Sequence, residues 1–91
     1  MKSIQLADYE VFQTRAVIKQ ILEVVPANSG GLGVGQMRER LKLLDKLEAS
    51  EGVLALEDAE HGHLVMLLHA FPFGVVHPEL LKIADAIEKA A

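Results

Sequence analysis

Ile4-Gln5-Leu6-Ala7-Asp8-Tyr9-Glu10 returns later in the chain as Leu54-Ala55-Leu56-Glu57-Asp58-Ala59-Glu60. Further on, Leu41-Lys42-Leu43-Leu44-Asp45-Lys46-Leu47-Glu48 is echoed by Leu81-Lys82-Ile83-Ala84-Asp85-Ala86-Ile87-Glu88. Each echo of the first kind joins a short strand-like stretch, alternating apolar and polar in Ile4-Gln5-Leu6, to an acidic residue suited to opening a helix. The chain therefore reads as two related units, about 3–50 and 53–90, each a strand followed by two helices. A unit of this size cannot bury its own apolar face, so the two must share one interior within a single domain spanning residues 1–91. Chance likeness in a chain rich in Leu, Ala and Glu is the competing explanation of the echoes.

Local patterns fill in the elements. Ile4-Gln5-Leu6 suggests a strand, and Asp8 with Glu10 behind it predicts a helix from about Asp8 to Val25, ended by Pro26. Val11, Ile18, Leu22 and Val25 would form its inner face with Phe12 beside them, and Arg15, Lys19 and Glu23 an exposed series one turn apart. Ala27-Asn28-Ser29-Gly30-Gly31-Leu32-Gly33-Val34-Gly35 reads as a flexible linker. A second helix is expected over Gln36–Ala49, with Met37, Leu41, Leu44 and Leu47 inward. Val53-Leu54-Ala55-Leu56 is a second short strand, and Asp58 opens a third helix, about Ala59 to Phe71. Pro78 suits the first position of a fourth helix, running to about Lys89 with Leu80, Ile83, Ala84 and Ile87 inward. Strands this short do not stand alone, so they should pair with each other, antiparallel across a pseudo-twofold axis. The expected class is mainly α with two short strands, an α+β domain of four helices.

Composition narrows the chemistry. The chain has 91 residues, 51% of them hydrophobic, and no cysteine, which excludes disulfides, thiolate zinc sites and cysteine nucleophiles. The run Leu64-Val65-Met66-Leu67-Leu68 is far shorter than the roughly 20 residues that cross a bilayer, and the segment from Met1 to Gln5 has no leader-like apolar core. The expectation is a cytoplasmic protein without membrane contact. Net charge is −4, unevenly placed: residues 1–50 carry seven basic against six acidic side chains, and residues 51–91 two against seven. That balance disfavours nonspecific attraction to nucleic acid, and the asymmetry suits either association between unlike ends or a solvated acidic surface.

Several constellations can be weighed against their plainer explanations. Gly30 to Gly35 precedes a helix and has the glycine spacing that opens a phosphate-binding loop, but Gln36 and Met37 stand where that loop needs Lys and then Ser or Thr. A connector explains it. His61-Gly62-His63 lies near Glu57, Asp58 and Glu60, a set of metal-ligand types, although residues two apart do not share a helix face. The plainer expectation is polar histidines on an exposed first turn, with no metal and no cofactor. His69 reads as a satisfied core histidine or a pH-sensitive group, and His77 as a turn or cap residue. Ser3, Ser29 and Ser50 sit in no nucleophile elbow, and the acidic pairs are explained by helix capping, so catalysis is not expected. Arg38, Lys42 and Lys46, with Arg40 nearby, give the second helix a basic face that could follow phosphates, which makes a small DNA-binding transcriptional regulator the alternative reading. The glycine-rich linker is, however, long for a helix-turn-helix.

The apolar surplus points elsewhere. Val65, Met66, Phe71, Phe73, Val75 and Val76 supply more greasy surface than four short helices obviously need, as protein-binding surfaces commonly do. A shared interior is the competing use for them. The cadence Leu56-Glu57-Asp58-Ala59-Glu60, Ala70-Phe71-Pro72-Phe73-Gly74 and Glu79-Leu80-Leu81-Lys82-Ile83-Ala84-Asp85-Ala86-Ile87 resembles small helical proteins encoded by bacteriophages and prophages, mainly over residues 54–90. The resemblance implies an accessory protein of bacterial cytoplasm and carries over no functional residue. Together these features lead to the expectation of a homo-oligomeric, non-enzymatic protein–protein interaction module.

Overall fold

A computed structural model describes residues 1–25 and 30–91. Pro26, expected to end the first helix, and Ala27 to Ser29 of the expected linker lie outside the described residues. Among the described residues the order is β1 (Lys2–Gln5), α1 (Thr14–Glu23), α2 (Val34–Ala49), β2 (Val53–Leu56), α3 (Asp58–Ala70) and α4 (Pro78–Glu88). The α+β class with paired short strands is thus present. β1 and β2 run antiparallel, with Lys2 opposite Leu56, Ser3 opposite Ala55, Ile4 opposite Leu54 and Gln5 opposite Val53. The period of two puts Ile4, Leu54 and Leu56 on one face, where all three are buried against the helices.

The register sets Ile4 directly opposite Leu54, two positions that the sequence echo equates. The expected duplication is not shown by the structure, although buried positions recur at like spacings: Thr14 and Ile18 follow Ile4 as Leu64 and Leu68 follow Leu54, and Leu43 and Leu47 in α2 are spaced as Ile83 and Ile87 in α4. Packing crosses between the halves, since α2 lies on β2 and α4 on β1. The halves differ in how their first helix begins. α3 starts two residues after β2, whereas α1 starts only at Thr14.

That late start corrects the expected helix from Asp8. Residues 8–13 form a turn instead, closed by an Asp8–Gln13 bridge and by the Tyr9 N–H donating to the Phe12 carbonyl at 2.9 Å. The fully buried Thr14 donates its hydroxyl to the Ala7 carbonyl at 2.8 Å. From α4, the Glu79 carboxylate accepts the N–H groups of Val11 at 2.9 Å and Phe12 at 2.8 Å, so a distant side chain satisfies the donors that a helix would have used. Val11 is consequently exposed rather than inward, and Val17, Ile18, Ile21 and Leu22 form the inner face of α1.

Smaller shifts have local causes. α2 begins at Val34 rather than Gln36, because the Gln36 side chain accepts the Gly33 N–H at 3.2 Å and stabilises an earlier first turn. α3 begins at Asp58, with Glu57 rather than Asp58 at the cap position and Glu60 accepting the Glu57 N–H at 2.9 Å. His77 caps α4 through its Nδ1, which accepts from the Glu79 N–H at 3.1 Å. Gly30 and Gly31 take φ of 81° and 86°, a left-handed backbone natural to glycine.

α1 and α2 are tied at both ends by arginines. Arg15, expected to be exposed, reaches across to the last carbonyls of α2, donating to those of Leu47 and Ser50 and, at 3.3 Å, to that of Glu51. Arg40 answers from α2, donating to the carbonyls of Ile21 at 3.4 Å and Leu22 at 3.3 Å at the end of α1. Each cation thus meets the negative end of the other helix, where carbonyls lack partners. The radius of gyration, 12.6 Å, is that of one packed body of this length, about 12 Å by general scaling. No helix among the described residues is long and apolar enough to cross a membrane.

Candidate functional site

The connection from Phe71 to Val76 carries two proline and glycine breaks, Pro72 and Gly74, and therefore crosses the surface as an irregular loop. Phe71 anchors it by packing on the core, and Phe73 meets the Phe71 ring edge to face, centroids 4.9 Å apart. Val75 and Val76 follow with nothing beneath them in the core, and both are exposed, Val76 completely. On the α4 side, Leu80, Leu81 and Ala84 continue the apolar surface. A groove of about 240 Å³ runs between the valines and these residues. A second, of about 260 Å³, lies across the loop among Phe12, Phe71 and Pro72, and the two share Phe73, Val75 and Leu80. The polar side chain at the edge of the first groove, the His77 imidazole, is committed to capping and to an edge-on contact with Phe12, centroids 5.1 Å apart, while Gln20 lines the second.

Of the six residues expected to bind a partner, the structure brings Phe73, Val75 and Val76 together on this surface, with Phe71 supporting them. Val65 is half-buried and packs on the core. Met66 is exposed but lines neither groove, because it lies on the face of α3 opposite the buried Leu64 and Leu68. Leu81 was legible as a surface residue in one respect: Leu80-Leu81 is an adjacent pair on a helix, and neighbours about 100° apart cannot both face the interior.

The basic row of α2 is divided. Arg38 and Lys42 are exposed, whereas Lys46 is half-buried and its ammonium donates to the Glu60 carboxylate at 2.6 Å. Lys42 overhangs a crevice of about 210 Å³ between α2 and α3 lined by Glu39, Glu60 and His63. Lys46 and then the Glu57 N–H outweigh desolvation and hold the Glu60 carboxyl below its ordinary value. At Glu79 desolvation is the largest influence and pushes the carboxyl up, but the N–H groups of Phe12 and Val11, with His77 and Lys82, outweigh it and leave the group below its ordinary value. A carboxyl depressed by folding contributes stability above its unfolded value and loses it as pH falls through the folded one. The melting temperature should therefore decline as pH drops below the ordinary glutamate value of 4.5, and less steeply in Glu79→Gln. Thermal melts at pH 3 to 7 check this, and identical slopes for the two proteins would remove Glu79 from the account.

The α3 histidines each meet a different polar partner. His61 is half-buried with Nε2 2.6 Å from the Ile87 carbonyl, His63 has Nδ1 3.6 Å from Glu39, and His69, exposed rather than in the core, has Nε2 2.7 Å from Glu88. They point to three different elements or positions, and among the described residues no three His, Asp or Glu side chains gather as a metal site. Gly35 lies within α2, so the phosphate-loop spacing is split between loop and helix. No protein-family model, no curated protein and no solved structure matches this chain.

Proposed function

We propose that this chain is a non-enzymatic protein–protein interaction module whose working surface is the Phe71–Val76 loop with the outer face of α4. The observation that carries this is the run of exposed apolar side chains, Val75, Val76 and Leu81, around a groove with almost no free polar group. Such a surface favours apolar side chains of another protein over a charged or strongly polar ligand. The resemblance of residues 54–90 to phage and prophage proteins adds an accessory role in a bacterial host. The basic face of α2 gives the DNA-binding alternative less support, since Lys46 and Arg40 are engaged within the chain.

A photo-reactive residue at position 76, introduced in the cells that encode the protein, tests the proposal against the same probe at Glu23. Discrete protein adducts are expected from position 76, absent from position 23 and lost on Leu81→Asp. Equal labelling from both positions, or none from either, rejects the surface as a binding site.

A further inference from the structure

α2 has two apolar stripes, and only one of them is used inside the chain. Leu43 and Leu47 are buried in the core and the half-buried Leu44 packs against it, whereas Val34, Met37 and Leu41 face outward at 65%, 49% and 52% exposure. The outward residues fall at i, i+3 and i+7, and Leu44 at i+10 continues the row at the edge of the core, the spacing by which one helix meets another along a coiled-coil seam. A loop or sheet edge does not match that period. The occupant is thus a helix, and the charges beside the seam indicate which one. Arg38 stands on the flank near its amino-terminal end, Asp45 on the same flank one heptad later, and Glu48 continues the seam itself; all three are exposed and form no ion pair among the described residues.

Antiparallel pairing with an identical helix makes this pattern self-complementary. Val34 then opposes Leu44 of the second copy and Met37 opposes Leu41. Helical side chains lean toward their own amino terminus, so Arg38 of one copy and Asp45 of the other lean toward each other, and the helix dipoles are opposed. A twofold contact repeats the same pairing on both sides. We infer that α2 is the interface through which two copies of this chain associate, by an antiparallel seam of Val34, Met37, Leu41 and Leu44. It is separate from the Phe71–Val76 surface, so one copy can pair and still receive a partner there.

Sedimentation equilibrium on the full chain tests the inference. The expected mass is twice the 9.9 kDa of one chain. Leu41→Asp should raise the dimer dissociation constant about 100-fold, as loss of a central apolar anchor does, with the circular dichroism spectrum unchanged because the residue is outside the core. Arg38→Glu and Asp45→Arg should each weaken the dimer, and the double exchange should restore it. A single-chain mass for the natural protein at all concentrations overturns the inference. So does a dimer that survives Leu41→Asp, that gains nothing from the double charge exchange, or that is dissolved by Val76→Asp instead. Failure of the position-76 crosslinks with the seam results intact would reject only the loop surface.

Discussion

Leu54→Ala is expected to lower the unfolding free energy by about 3 kcal/mol, which for a domain of this size is a fall of roughly 12–24 °C in melting temperature. The sheet has two strands of four residues each and contributes to the interior chiefly through Ile4, Leu54 and Leu56. Leu54 lies directly opposite Ile4, and both meet the helices. Truncation leaves a void at the place where the halves join, and a two-stranded ribbon has no further strand to close over it. Ile4→Ala should cost a similar amount, and the two together less than their sum because they share one cavity. Chemical denaturation measures all three. Val53→Ala, at an exposed position of the same strand, should change stability by about 0.5 kcal/mol or less. If Leu54→Ala were as mild as Val53→Ala, the strand pair would not be part of the core.

Arg15→Ala is expected to be the most damaging change at a position that reads as surface, costing about 2–3 kcal/mol. Its guanidinium serves carbonyls of Leu47, Ser50 and Glu51 at the end of α2, and no neighbouring side chain replaces it. Arg15→Lys should recover only a minor part, since an ammonium cannot fork between separate carbonyls as a guanidinium does. The longer contacts of Arg40 predict a smaller loss for Arg40→Ala. Urea titration of the single and double variants checks this, and a full recovery by Arg15→Lys would show that charge alone holds the helix ends together.

Much of the architecture was readable because local signals agreed with the global packing. The short apolar run Val53–Leu56 after Gly52, the proline at the first position of α4 and the apolar spacing of Ile83 and Ile87 each fixed an element near its observed place. The start of α1 was not readable, since Asp8-Tyr9-Glu10 has the residues of a helix cap, and the Glu79 carboxylate that helps hold the backbone in a turn comes from far along the chain. α2 was ambiguous for a different reason. Leu41, Leu43, Leu44 and Leu47 crowd more than one face, and the spacing alone allows either Met37, Leu41 and Leu44 or Leu43 and Leu47 to point inward. The matching places of Leu43 with Ile83 and Leu47 with Ile87 were the signal that chooses the latter. Arg15 and Arg40 gave no warning, because a helix-end carbonyl on another element has no sequence signature. At the candidate site, Phe73, Val75 and Val76 were anticipated from composition, while Met66 and Val65 were separated from them by the rotation of α3, which neighbouring apolar residues in a row do not reveal.

The crossing of the halves has a consequence for how the chain is made. β1 leaves the ribosome well before β2, its hydrogen-bonding neighbour, and before α4, the helix that covers it. The Ser3 N–H, moreover, is satisfied by the carbonyl of Ala91. Ile4 must therefore wait in water while most of the polypeptide is synthesised, and native structure is reached only after translation has passed α4 rather than growing outward from an early-formed piece.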